Sequence, residues 1–277
     1  MKLCRFGKNG YEKPGIIDSQ GMLRDASSVV QQIDQDTISP KGLAKLRKVR
    51  PESLPLIKTE PRLGVPYIGI SKFVAIGLNY SDHAAETNAP VPTEPIVFMK
   101  ATTCINGPND DIVQPKGSTK LDWEVELGVV IGTRAQYVSE EKALEHVAGY
   151  AIVNDVSERS FQMATSQWDK GKGFDTSGPI GPWLVTTDEI PNPQALNITM
   201  RVNGQVRQSS NTSKMIFPVD QCIEVLSIAM TLLPGDIIAT GTPDGVGAAS
   251  GNYLKAGDRM EAEVEKIGVL ANRVVRP

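Results

Sequence analysis

Residues 123–132 read Trp-Glu-Val-Glu-Leu-Gly-Val-Val-Ile-Gly, and the conformation of this stretch sets the architecture around it. Its short, largely apolar run is rich in valine and isoleucine, which predicts a β-strand. Side chains two apart on a strand point to one face. Glu124 and Glu126 therefore project together, while Trp123, Val125 and Leu127 project the other way. Two readings stay open. The pair can be the solvated face of a half-buried strand, or two carboxylates whose mutual repulsion is relieved by a cation or by protonation. A third carboxylate, Asp155, ends the apolar run YAIVN, where a solvated loop aspartate would look the same. If Asp155 meets Glu124 and Glu126, three hard oxygen ligands surround one point. That set suits Mg²⁺ or Mn²⁺ over zinc.

Working outward, FVAIGLNY (73–80), PIVFMKA (95–101), YAIVNDV (150–156), DIIATGT (236–242) and RMEAEVEKIGVLANRVV (259–275) also read as strands. Helices are expected from Ser139 through EEKALEHV, over 219–232 up to Pro234-Gly235, and over ERSFQMATSQW (158–168). Strands do not alternate regularly with long helices, which disfavours a doubly wound sheet or a βα barrel. Residues 1–65 read as a small α+β domain: LCRFG and GIID as short strands, then a helix capped by Ser39 with Pro40 in its first turn. Pro51, Pro55, Pro61 and Pro66 mark a linker to a second domain, 66–277. The expected fold class is α+β, mostly β.

The composition excludes several functions. With 29 Lys+Arg against 32 Asp+Glu, the net charge of −3 gives no basic footprint for nucleic acid or an anionic membrane. Three unpatterned cysteines, Cys4, Cys104 and Cys222, do not make a disulfide scaffold and fit a reducing compartment. The first residues carry no apolar signal region and no stretch is long enough to span a membrane, so a cytoplasmic protein is expected. The P-loop, dinucleotide, serine-hydrolase and zincin signatures are absent. Two histidines in 277 residues rule out a multi-histidine metal site beyond two imidazoles.

Other candidates lie in NYSDHAAE (79–86). With Ser81 or Asp82 as N-cap, His83 and Glu86 share one helix face, as a general base with its orienting carboxylate or as a surface pair. His146 reads as a residue near a helix C-terminus. Arg159 and Gln162, also three apart, follow Asp155 by one turn and either face the cation site or solvent. Residues 169–174, with Lys170 and Lys172, read as a flexible basic loop, and GTPDGVG (241–247) as a glycine turn able to bring N–H groups to an anion.

In combination, AIGLNYSDHAAE, EPIVFMKATT, DWEVELGVVIG, NDVSERSFQ, GKGFDTSGPIGPW and DIIATGTPDGVG resemble the fumarylacetoacetate hydrolase family, in family order. The N-terminal segment is similar to the small domain of its longer bacterial members, among them hydrolases of 2,4-diketo-3-deoxy sugar acids. The resemblance implies a mixed β-sandwich or β-roll core, a homodimer, and Mg²⁺ or Mn²⁺ on Glu124, Glu126 and Asp155. It implies three protein ligands, because the further aspartate of longer eukaryotic members has no clear match. It also implies a catalytic dyad of His83 and Glu86 on a lid, with Lys172 beside the reacting centre. Arg159, Gln162, Thr242 and Thr176 are implied as substrate contacts.

The chemistry implied by the resemblance is hydrolysis of a C–C bond in a β-diketo acid, giving pyruvate and a second carboxylic acid, with a 2,4-diketo-3-deoxy sugar acid the preferred substrate. The same residues would also serve an oxaloacetate decarboxylase, or an isomerase or hydratase of aromatic ring-cleavage products, since one fold hosts several chemistries. A metal-binding homologue without turnover is a further alternative. Its mark would be a lost ligand or base, and none of the five is lost.

Overall fold

In the computed structural model, which describes residues 1–277, the apolar runs assemble into a mixed sheet of 11 strands and a second sheet of 5. The first part of the chain supplies β1 (Lys2–Phe6), β2 (Lys13–Ile17), β3 (Leu23–Asp25), β4 (Phe73–Gly77), β5 (Ile96–Lys100) and β6 (Ile112–Val113). The middle supplies β7 (Val125–Ile131), β8 (Val147–Asn154), β9 (Gly178–Thr186), β10 (Asn197–Val202) and β11 (Gln205–Asn211). The end supplies β12 (Ile237–Ala239), β13 (Arg259–Val264) and β14 (Gly268–Val275). Nine strands of the large sheet run β3-β2-β1-β9-β8-β7-β12-β4-β5, with β12 and β4 parallel and the other neighbours in this order antiparallel; two short strands complete it, Leu63–Gly64 beside β1 and Ile105–Asn106 beside β9. The smaller sheet runs β11-β10-β13-β14-β6. This is the mostly β, α+β architecture expected.

Strand β7 is buried along its whole length because both faces of the large sheet are covered. Val125, Leu127, Val129 and Ile131 pack with Ile198, Met200, Met260 and Val264 of the smaller sheet. On the opposite face, Val130, Ala151 and Val153 pack with Ile33, Ile38, Leu43 and Leu46 of the N-terminal segment. That segment also continues the large sheet, since β1 pairs with β9 through Lys2↔Val185 and Leu3↔Leu184. Residues 1–65 thus share both a sheet and a core with the rest of the chain.

The helices are shorter than the sequence suggests. Ser39 does cap α2 (Pro40–Leu46), which comes directly after α1 (Gln35–Ile38). Helix α3 (Ser81–Glu86) starts after Tyr80 with no side-chain cap, so neither Ser81 nor Asp82 is the N-cap. The Asp82 carboxylate instead accepts hydrogen bonds from Ser210 Oγ at 2.6 Å and Lys214 Nζ at 3.2 Å. The expected 139–147 helix is one turn, α4 (Glu140–Ala143), continued as a 3₁₀ turn over Leu144–His146. The expected 158–168 helix breaks into α5 (Arg159–Gln162) and α6 (Asp169–Lys172). The Ala-Thr-Ser-Gln stretch between them has no apolar face to hold a helix against the core. Helix α7 spans Val219–Ala229 and stops before Pro234, because Met230 is extended and Leu232 pairs with Ala135.

Candidate active site

The register of two strands builds the carboxylate cluster. Val125 on β7 pairs with Asn154 on β8, and Asp155 N–H donates to the Glu124 carbonyl at 2.9 Å. Asp155 is therefore carried to the same end of the ladder as Glu124 and Glu126. One oxygen from each of the three carboxylates lies within 4.8 Å of the others, and all three residues are buried. The solvated-strand and solvated-loop readings of these residues do not hold.

Three cations serve the cluster unequally. Lys172 Nζ bridges Glu124 Oε2 at 2.6 Å and Asp155 Oδ2 at 2.7 Å. Arg159 reaches Glu124 Oε1 at 2.6 Å and Asp122 Oδ2 at 2.8 Å. Lys100 donates to Asp155 Oδ1 at 2.6 Å and also holds Ser177 and the Lys172 carbonyl. Burial works against the Glu124 charge, but Lys172 and Arg159 outweigh it and hold its carboxyl down to about 2. Glu126 forms no ion pair, and its Oε2 accepts the Gly241 N–H at 2.8 Å. Burial, with Asp155 and Glu124 alongside, pushes its carboxyl well above the usual range. Glu126 is thus the one carboxylate of the three without a cation, all three are buried, and no sulfur or imidazole joins them. This donor set fits a hard divalent cation such as Mg²⁺ or Mn²⁺.

A cavity of about 370 Å³ opens onto Glu124, Glu126 and Lys172. His83, Arg159, Gln162 and Thr242 also line it. Its apolar wall includes Gly77, Leu78, Phe98 and Trp168, with the last two rings edge to face at 5.4 Å. A Cβ on Gly77 would meet Trp168 Cζ3 at 2.6 Å, so the indole sits where only glycine lets it. His83 Nδ1 lies 3.2 Å from Glu86 Oε2, and Glu86 Oε1 accepts the Gly245 N–H at 3.0 Å. The glycine turn thus fixes the carboxylate that orients the imidazole.

Most of the expected residues converge. Gln162 accepts from Arg159 at 3.0 Å, leaving its amide NH₂ for a ligand. Thr242 donates to the Val125 carbonyl at 2.9 Å and accepts from Gln208 at 2.8 Å, so one lone pair remains. Lys172 is 2 % exposed and closes α6, which corrects the reading of residues 169–174 as a flexible basic loop. Helix α6 lies against α5 because residue 171 is glycine: a Cβ there would meet Gln162 N at 2.5 Å. Asp155 does not line the cavity, since its oxygens face Lys100 and Lys172. Thr176 is the exception. It has φ +68, is half-buried, and its hydroxyl accepts the Val113 N–H at 2.9 Å, away from the cavity. His146 closes its 3₁₀ turn and faces the Thr133 carbonyl, remote from the cluster. Sequence reasoning missed Lys100 and Asp122; a lysine closing the apolar run Ile96–Met99 was the available signal for the first.

The whole chain is similar to known proteins. The family model described as fumarylacetoacetate hydrolase, C-terminal, matches residues 72–275. A relative from Burkholderia lata, called a "putative hydrolase", is 55% identical over 272 residues, covering 97% of this chain and 96% of its own. Among solved structures, the fumarylacetoacetate hydrolase of Exiguobacterium antarcticum is 34% identical, covers 100% of both chains and superposes with a TM-score of 0.88. A structure titled 2-hydroxyhepta-2,4-diene-1,7-dioate isomerase, from Mycobacterium marinum, is also 34% identical, covers 100% of this chain and 98% of its own, and has a TM-score of 0.76. No helix of the chain is long and apolar enough to cross a membrane.

Proposed function

The chain belongs to the fumarylacetoacetate hydrolase family, and on that footing we propose that it hydrolyses the C–C bond of a β-diketo acid of acylpyruvate type. The observation that carries this reading is one cavity lined by Glu124, Glu126, Lys172 and His83, with Asp155 completing the carboxylate cluster. In the proposed reaction R–CO–CH₂–CO–COO⁻ and water give R–COO⁻, pyruvate and a proton. One C–C bond breaks and one C–O bond forms; of the two protons of water, one goes to the leaving carbon and the other is released as the new carboxylic acid ionises. A 2,4-diketo-3-deoxy sugar acid is the substrate class that the sequence resemblance favours for R.

Glu124, Glu126 and Asp155 would hold a divalent cation, which supplies Lewis-acid polarisation of the 2-oxo acid when bound. His83, oriented by Glu86, takes a proton from the attacking water at Nε2, the ring nitrogen that Glu86 leaves free. Lys172 keeps a positive charge beside the leaving pyruvate, where negative charge develops. Burial lowers its ability to stay charged, but Asp155 and Glu124 outweigh that and keep it protonated. Gln162 and Arg159 orient the substrate, and Phe98 and Trp168 exclude water from the inner cavity.

The test is pyruvate release from acetylpyruvate, a 2,4-diketo-3-deoxy sugar acid and oxaloacetate, with Mg²⁺ or Mn²⁺. The reading expects pyruvate from the diketo acids in excess of that from oxaloacetate, abolished by EDTA and in Glu124→Ala. Pyruvate from oxaloacetate alone would make the protein a decarboxylase. Loss of substrate without pyruvate would make it an isomerase or hydratase.

A further inference from the structure

Strand β11, at the edge of the smaller sheet, exposes its valine and buries a glutamine. Val206 is 55 % exposed and Gln208 is 1 % exposed. A bulge separates them. Met200 on β10 pairs with Gln208 and Arg201 pairs with Val206, so Arg207 is an extra residue without a partner. Such an insertion breaks the alternation of side chains along a strand. A buried amide is costly unless its hydrogen bonds are made. Gln208 makes three: its Oε1 accepts the Val125 N–H at 3.0 Å, and its Nε2 donates to Thr242 Oγ1 at 2.8 Å and to the Pro243 carbonyl at 2.9 Å. An N–H only donates and a carbonyl only accepts, so Val125 and Pro243 fix which end of the amide is which.

The three partners belong to the parts of the site that must stay in register. Val125 lies between Glu124 and Glu126. Thr242 and Pro243 lie in the glycine turn, whose Gly241 N–H meets Glu126 and whose Gly245 N–H meets Glu86. That turn rests on β11 itself, because Gly245 has φ +92 and a Cβ there would overlap the Arg207 carbonyl. Two residues beyond Gln208, Ser210 donates to Asp82 at 2.6 Å, so α3 rests on the same strand. Strand β11 therefore touches the carboxylate strand, the glycine turn and the helix of the His83–Glu86 dyad. Gln208 itself lines neither the 370 Å³ cavity nor the chamber beside it.

We propose that Gln208 is a positioning residue. It sets the glycine turn against β7 and, through Gly245 and Glu86, fixes His83 relative to the carboxylate cluster. With Gln208 lost, α3 stays tied to β11 by Asp82 while the turn that anchors Glu86 is released at its centre.

The chain has two histidines, so nuclear magnetic resonance of the imidazole C–H groups reads the dyad with an internal control. Gln208→Met loses all three hydrogen bonds. Gln208→Asn keeps the amide but is one methylene too short to span β7 and the turn, and it decides the matter alone if Gln208→Met does not fold. At one fixed pH, the His83 resonances are expected to shift in these variants while those of the remote His146 stay in place. A side chain that served stability alone would lower the unfolding midpoint and leave both sets unmoved. The second readout rests on the proposed hydrolysis. The kcat for acetylpyruvate is expected to fall at least about tenfold, since a misplacement of about 1 Å far from the chemistry can cost about 10²-fold. Unmoved His83 resonances, His146 resonances that move as far as those of His83, or a kcat equal to the parent's would overturn the proposal. A parent that does not turn over acetylpyruvate, with His83 shifted in the variants, would count against hydrolysis and leave the positioning role standing.

Discussion

At the level of single residues, the site is organised by which carboxylate has a cation and which does not. Glu124 and Asp155 are paired, while Glu126 has only the Gly241 N–H. His83 touches none of the three clustered carboxylates. Its removal should therefore separate catalysis from metal binding. His83→Ala is expected to lower kcat by about 10²–10⁴-fold, with Mn²⁺ affinity, read by calorimetry, unchanged within about twofold. A matching loss of Mn²⁺ affinity would show that His83 acts through the metal site. Lys100 is the residue that the sequence least advertised. It is buried, and it neutralises Asp155 while tethering the Lys172 carbonyl. Removing one partner of a buried ion pair costs roughly 3–5 kcal/mol. Lys100→Met is expected to lose stability in that range by urea denaturation, whereas Lys170→Met, at an exposed neighbour, should lose under about 0.5 kcal/mol. The Glu-x-Glu and His-x-x-Glu spacings were legible because strand and helix periodicities fix which side chains are neighbours. Thr176 was not legible, since its positive φ turns the hydroxyl to Val113, and no periodic rule reaches such a position.

At the level of elements, the strands were readable and the helix lengths were not. Strands β7 and β8 are continuous apolar runs, and their pairing is enough to bring Asp155 to Glu124. The helices at 140–146 and 159–172 are single turns held by tertiary contacts, and helical spacing in the sequence overstates them. The joint between α5 and α6 is a glycine contact that no pattern shows. Gly171→Ala places a Cβ against the Gln162 backbone and forces α6, with Lys172, away from the carboxylates. Overpacking of this kind costs about 1–3 kcal/mol. The expected outcome is a lower melting temperature together with at least a tenfold loss of kcat. Unchanged kcat would show that Lys172 does not need this placement.

At the level of the whole molecule, the N-terminal segment is tied to the rest by a charged cluster as well as by the shared sheet. Glu12 binds Arg5 at 3.0 Å and Arg62 at 2.9 Å, and Arg62 continues to Asp110 at 2.7 Å. Burial alone would raise the Glu12 carboxyl, but the Arg62 hydrogen bond and the charges of Arg5 and Arg62 outweigh it and bring it below its ordinary 4.5. The unfolded chain then binds more protons, so this stabilisation is present above about pH 4.5 and is lost as pH falls through the lower folded value. Glu12→Gln should be less stable than the parent by about 1–2 kcal/mol at neutral pH, with the gap closing as pH falls below Glu12's ordinary 4.5 and through its lower folded value. A gap that stays constant would show that the carboxylate charge is not responsible. On the proposed function the carboxylate cluster would act on the whole fold in a similar way, because a cation bound only by the native state would stabilise it by mass action. Mg²⁺ or Mn²⁺ at 100 times its Kd should add about 2.7 kcal/mol, read as a rise in melting temperature that Glu124→Ala abolishes.

The central claim is that water, activated by His83, cleaves a C–C bond in the cavity shared with the carboxylate cluster. Acetylpyruvate turned over in H₂¹⁸O with Mg²⁺, and sampled before its ketone oxygens exchange, tests this directly. The account predicts acetate carrying one solvent oxygen, one equivalent of pyruvate, and neither product after EDTA. Metal-dependent consumption of acetylpyruvate that leaves acetate unlabelled, or that yields no acetate, would contradict it.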